Sequence, residues 1–204
     1  MRNKKKYNLQ PLDQYIDEAL YNTKRGYYNK KNPFGAKGDF ITSPSVSVIF
    51  SEVLTIWSIL YWEKLKCPPE FNIVELGAGS GDMMQQIIKT SNKFKKFKNC
   101  AKFFIYEKSK LLIKLQKKKL KKYNVKWLKN FNELSKNKTL FIGNEFLDSF
   151  PIKQFEKING KWFEKYIYET SMERKLKNIG AEIENLKKLV GFNFLKNQNF
   201  FEIS

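Results

Sequence analysis

The chain has 204 residues, 42% apolar and 16% aromatic, which is enough to bury a core and too hydrophobic for wholesale disorder. Its formal charge of +19 raises a polyanionic partner, yet only Arg2, Arg25 and Arg174 supply arginine, the side chain suited to bidentate phosphate and base recognition. Histidine is absent, which excludes Ser-His-Asp and Cys-His catalysis, a histidine base and most zinc sites, leaving carboxylates, hydroxyls, amides or a bound cofactor for chemistry.

No metal is expected, and the lysine excess reads as a solvated surface, so nucleic acid is not the expected partner. Cys67 and Cys100 are the only cysteines and form no Cys-x-x-Cys, which argues against a disulfide framework and for a reducing compartment. The basic start, Met1 to Tyr7, leads into no apolar stretch of a secretory signal and is too short for a transit peptide. The longest apolar run, Val53 to Trp62, falls short of the roughly 20 residues a membrane span needs. The expectation is a soluble protein of a bacterial cytoplasm, with the mitochondrial matrix as the alternative.

In chain order, residues 11–24 predict a short amphipathic helix carrying Leu12, Tyr15, Ile16, Ala19 and Leu20. A glycine-rich stretch, Pro33 to Phe40, follows Gly26-Tyr27-Tyr28. Ser43-Pro44 reads as a helix start, with Val46, Ile49, Phe50, Val53, Trp57 and Leu60 as the core face. From residue 71 strands and helices alternate: strands at Phe71–Leu76, Lys102–Glu107, Val125–Leu128 and Thr139–Gly143, helices from Asp82 and from Ser109 to about Tyr123. That alternation predicts an α/β, Rossmann-like fold, a mostly parallel sheet with helices on both faces. Beyond Pro151, Asn159-Gly160 marks a β-hairpin, Met172–Val190 reads as a charged helix, and Asn199–Ile203 starts a strand. The expected organisation is one composite domain: residues 1–70 a helical cap, 71–151 the Rossmann-like core, 152–204 a hairpin and helical insert.

Three groups carry chemistry. Gly77, Gly79 and Gly81 follow the first strand of the alternating part, where a tight turn lets a ligand approach bare backbone. A dinucleotide fingerprint would put its last glycine at position 82, but Asp82 stands there, a poor neighbour for a pyrophosphate. S-adenosylmethionine (SAM) has no phosphate, and its cationic groups favour a carboxylate such as Glu75. Glu107 ends the next strand, where an acid accepts ribose hydroxyls. Asn144, Glu145 and Asp148 follow the fourth, across from the glycine loop, with Glu145 and Asp148 spaced to share one side of a helical turn.

Ala19-Leu20-Tyr21, Gly26-Tyr27-Tyr28, Pro33-Phe34-Gly35, Gly38 to Pro44, Glu75 to Gly81 and Asn144 to Ile152 occur in the order of one family's pattern. The chain resembles the MidA-type class I SAM-dependent methyltransferases of bacteria and mitochondria. The resemblance implies S-adenosyl-L-methionine as cofactor, wrapped by Gly77, Ala78, Gly79 and Gly81, with Glu107 on its ribose and Gly38, Asp39, Phe40, Thr42 and Ser43 closing over it. It implies that Asn144, Glu145 and Asp148 face the acceptor. For mitochondrial members it implies protein arginine methylation linked to respiratory complex I assembly, so a protein substrate such as a complex I subunit. Family members run on past the strand that begins near Phe201, so later strands of the sheet are expected to be missing. Two other readings stay open: an inactive assembly or binding module that keeps the SAM-like site, and an RNA methyltransferase or RNA-binding protein.

Overall fold

The computed structural model describes residues 8–35, 38–40, 47–170 and 173–204. In chain order come strand β1 (Asn8–Pro11) and helices α1 (Leu12–Tyr21), α2 (Tyr27–Lys30) and α3 (Val48–Lys64). Then follow β2 (Phe71–Leu76), α4 (Asp82–Ser91), α5 (Lys95–Cys100), β3 (Ala101–Tyr106), α6 (Lys110–Lys119), β4 (Val125–Leu128) and β5 (Lys138–Gly143). The last part holds β6 (Lys153–Ile158), β7 (Lys161–Glu169), β8 (Arg174–Gly180), α7 (Ile183–Val190), α8 (Phe192–Asn197) and β9 (Phe200–Ile203).

The chain forms two compact units, Tyr21–Asp148 and a second that joins Ser149–Ser204 to the residues up to Leu20. This grouping differs from the expected cap, core and insert, because β1 hydrogen-bonds to β7 and so belongs with the late strands.

The first unit is built on a parallel sheet in the order β4-β3-β2-β5. Counted from β2 that is third, second, first, fourth, the middle of a doubly wound sheet, with the winding reversing between β2 and β5. As the inner strand, β2 is buried almost throughout, which is why its sequence is a near-continuous apolar run. Ile59 and Trp62 of α3, Met83 and Ile87 of α4 and Phe97 of α5 pack on Phe71, Ile73 and Ile142. Met84, Ile88, Ile105 and Leu120 form an adjoining cluster, and Val74, Phe104 and Leu128 a further one. Asn72, fully buried on β2, donates from Nδ2 to Thr139 on β5 at 3.1 Å, so its amide is partly satisfied within the sheet.

The second unit is an antiparallel sheet centred on β7. Along one edge β8 pairs with Phe163–Glu169, while β6 and β1 take Lys161–Glu164 and Tyr166–Glu169 on the other, and β9 pairs with β6. Phe155, Trp162, Leu186, Leu195 and Phe201 close its core. At the hairpin turn Asn159 and Gly160 both have positive φ, 49° and 77°, the twist that matches the flanking strands.

Two expectations change. Arg174–Gly180, expected within a helix, is strand β8, because a full ladder to β7 outweighs the weak helical preference of this charged segment. On α3 the expected core face is the exposed one: Ile49, Phe50, Val53, Trp57 and Leu60 face outward, while Ser51, Thr55, Ser58, Ile59 and Trp62 are buried. The small hydroxyl residues allow close packing on α4. Thr55 and Ser58 satisfy their hydroxyls by donating to the Ser51 and Leu54 carbonyls at 2.6 and 2.7 Å. The expected helix start at Ser43-Pro44 lies outside the described residues; α3 begins at Val48, with Ser47 Oγ accepting from the Ile49 N–H at 3.2 Å.

Candidate cofactor site at the switch point of the parallel sheet

The loop after β2 needs its glycines for two reasons. Gly77, Gly79 and Gly81 adopt φ of 65°, 52° and 83°, the left-handed region that other residues enter at a cost. A Cβ on Gly77 would also lie 2.7 Å from the Phe146 ring, and one on Gly79 3.4 Å from the Phe34 ring. Phe146 therefore links the glycine loop to the segment leaving β5, and Phe34 links it to the glycine-rich stretch before α3. Ala78 is buried against Met84 and Ile105, so its side chain serves the core.

Glu75 is buried at 2% exposure. It accepts the Met84 N–H in the first turn of α4, and its Oε2 has no hydrogen-bond partner among the described residues. Burial raises its pKa to about 8, and the charges of Glu107 and Asp82 push the same way. Glu107, just past β3, accepts from the Ser109 N–H at 2.9 Å and from Gln116 Nε2 at 3.2 Å. Burial raises its pKa too, against those hydrogen bonds. At Asp82 burial opposes ionisation, but bonds from Lys119 (2.5 Å) and Ser80 prevail and hold its pKa down.

Gln116 escaped the sequence reading. Fully buried, its Nε2 also donates to the Gly79 carbonyl at 2.9 Å, and its Oε1 accepts from Trp127 Nε1 at 2.9 Å. One amide thus ties the glycine loop, Glu107 and β4 together. The available signal is spacing: Leu112, Gln116 and Leu120 are four apart and share one buried stripe of the α6 segment.

Gly38, Asp39 and Phe40 lie in a turn in which Phe40 N–H donates to Pro33 O at 2.8 Å and Phe34 bridges Phe40. A Cβ on Gly38 would sit 2.3 Å from Pro33 O, so only glycine fits there. Asp39 accepts from Tyr27 at 2.5 Å and from Lys31 at 2.9 Å; Lys31 first, then Tyr27, holds its pKa low. Its carboxylate is thereby engaged within the turn. Thr42 and Ser43 lie outside the described residues.

Asn144, Glu145 and Asp148 do not form the expected helical turn. Glu145 has φ of 51°, and a 3-10 turn begins only at Leu147, so Glu145 and Asp148 are not paired by helical spacing. Both are exposed, yet both act on Tyr28. The Tyr28 phenol is pushed up to about 12 by burial, then by Tyr21, Asp148, Glu107 and Glu145. Tyr28 also stacks on Tyr21 and Phe34, centroids 5.5 and 6.2 Å away, and its carbonyl accepts from Ser109 Oγ at 2.6 Å. The acid after β3 and the acids after β5 thus converge on one aromatic side chain, which stacks on the Phe34 ring that borders Gly79.

Bare backbone at three glycines, an orphaned oxygen on the buried Glu75 carboxyl and the partly buried Glu107 suit a ligand that is cationic and carries a ribose, and they disfavour a phosphate. Residues 53–198 match the family described as "Putative S-adenosyl-L-methionine-dependent methyltransferase". The chain belongs to that family. Among curated relatives it is 31% identical over 176 residues to "Protein arginine methyltransferase NDUFAF7 homolog, mitochondrial" of Drosophila melanogaster, covering 76% of this chain and 40% of that protein. It is 30% identical over 178 residues to the Homo sapiens "Protein arginine methyltransferase NDUFAF7, mitochondrial", with the same coverage. The chain thus spans well under half the length of these relatives. A crystal structure from Burkholderia thailandensis, bound to S-adenosyl-homocysteine, superposes with a TM-score of 0.74 at 22% identity, over 90% of this chain and 49% of that one. It shares the fold. No helix among the described residues is long and apolar enough to cross a membrane.

Proposed function

We propose that this chain forms the SAM-binding part of a protein arginine methyltransferase whose acceptor is a subunit of respiratory complex I. The observation that carries the reading is the buried Glu75 and the partly buried Glu107 flanking three left-handed glycines at the switch point of the sheet. Bound there, S-adenosyl-L-methionine supplies a methyl group activated on a sulfonium. Gly77, Gly79 and Gly81 present backbone to it, and Glu107, oriented by Ser109 and Gln116, accepts its ribose hydroxyls. Glu75, held mostly protonated by its raised pKa of about 8, places beneath the loop a carboxyl that the cofactor's positive charge would draw toward ionisation. Glu145 and Asp148 pair with the acceptor guanidinium, which is always protonated, and orient one nitrogen.

Arginine as the acceptor follows the names of the relatives, and complex I follows the family resemblance. The thiols of Cys67 and Cys100 are both free, in keeping with a reducing compartment, bacterial cytoplasm or mitochondrial matrix.

Calorimetric titration with SAM tests the cofactor, comparing the chain with its Gly79→Asp variant. Saturable binding lost in the variant is expected; no binding by the folded chain sinks the reading. Glu145→Gln with Asp148→Asn should keep SAM affinity and abolish methyl transfer to an arginine protein. Unchanged transfer would remove both acids from the acceptor site, and SAM binding by a wild-type chain that transfers nothing would make it a binding module.

A further inference from the structure

Helix α3 is apolar on almost every side, a pattern that belongs to helices buried all round. Only one side is buried. Ile49, Val53, Ile56, Trp57, Leu60 and Tyr61 remain between 38% and 64% exposed. Half of six large side chains comes to on the order of 600 Å² of apolar surface, at or above the largest patch of an ordinary monomer. It is also close to the roughly 800 Å² that each partner contributes to a standard protein interface.

We infer that this face is the interface between two copies of the chain. Ile49, Val53, Trp57 and Leu60 fall at intervals of four, four and three, so they form one ridge along the helix. A two-fold interface needs the same patch on both subunits. Antiparallel pairing about the Ile56–Trp57 step sets Val53 of each copy against Leu60 of the other. It also opposes the helix dipoles favourably. Trp57 and Tyr61 are already stacked, centroids 5.5 Å apart, and give a rigid aromatic anchor of the kind that dominates interface energies.

Charge selects the occupant. The chain carries +19, yet no lysine or arginine lies between Val48 and Glu63. Two strongly basic molecules can meet here without setting ammonium groups against each other. A helix lying on a lipid surface carries lysines beside its apolar face, and this one has none. A polyanion finds no cation on it.

The test is sedimentation analysis of the whole chain at about 50 µM, within the micromolar-or-tighter range open to interfaces of this size. A dimer is expected, and it should tighten as salt is raised from 0.1 to 0.5 M, because screening weakens the residual repulsion between the two basic molecules. Val53→Glu should weaken dimerisation at least about a hundredfold by burying an unpaired charge, with an unchanged far-ultraviolet spectrum. Leu60→Glu repeats the measurement should the first variant fold poorly. Leu176→Glu, on an exposed leucine of β8, is the control and should leave the dimer intact. A monomeric wild type at 0.5 M salt overturns the inference. So does a dimer indifferent to both α3 variants, open-ended association, or co-sedimentation with neutral vesicles in place of self-association.

Discussion

Glu75 lies at 2% exposure with its pKa near 8 because burial penalises its charge, and the Met84 N–H offsets only part of that cost. In the unfolded chain the same carboxyl loses its proton near its ordinary value of 4.5. Between those values the folded state binds more protons than the unfolded one, so stability falls as pH rises from about 4.5 to 8 and levels off beyond. At about 1.4 kcal/mol per pKa unit, this one group removes on the order of 3–5 kcal/mol across the window. Denaturant titrations at pH 5 and pH 8 should show that loss in the wild type and a much flatter response in Glu75→Gln. An equally steep response in the variant would assign the slope elsewhere. Glu75 and the glycines were legible because a carboxylate before a glycine-rich turn at a strand end is a local pattern. Gln116, Phe34 and Phe146 were not, because each meets the loop only through tertiary contact, and a glutamine among lysines reads as a surface residue until its neighbours are known.

At the scale of elements, backbone chemistry was legible where it was local and hidden where two elements decide together. The four strands of the parallel sheet and the hairpin announce themselves by apolar runs and by Asn159-Gly160. The outward face of α3 and the strand β8 do not, since both depend on which neighbour packs there first. The hairpin gives a clean measurement. Gly160 has φ of 77°, and a Cβ added there would meet nothing within 4 Å. Gly180, at the end of β8, is equally open but has no left-handed φ. Gly160→Ala should therefore cost about 1–2 kcal/mol through backbone strain alone, and Gly180→Ala should be neutral within about 0.5 kcal/mol. Urea midpoints of the two variants make the comparison. Equal effects would mean that the turn, despite its geometry, contributes no strain.

For the whole molecule the question is what a charge of +19 does. Part of the lysine has local work: Lys119 pairs with Asp82, Lys153 with Glu164 and Asp13, Lys165 with Glu156, and Lys117 lies over the Trp127 ring. The surplus is exposed lysine, which attracts phosphate as a point charge and reads no base. Single-stranded RNA should then bind weakly, with affinity falling roughly 10³-fold or more between 50 and 200 mM salt if six or more phosphates are engaged. Replacing the exposed Lys118, Lys121 and Lys122 by alanine should weaken binding equally for every sequence and make the salt dependence shallower. Filter binding with two unrelated RNA sequences at several salt concentrations decides it. A preference between the sequences that survives 200 mM salt would require base contacts, and with arginine confined to three positions the chain has few side chains suited to making them. Such a result would return RNA to the reading of the site; uniform, salt-labile binding leaves the lysine surface as a solvating shell.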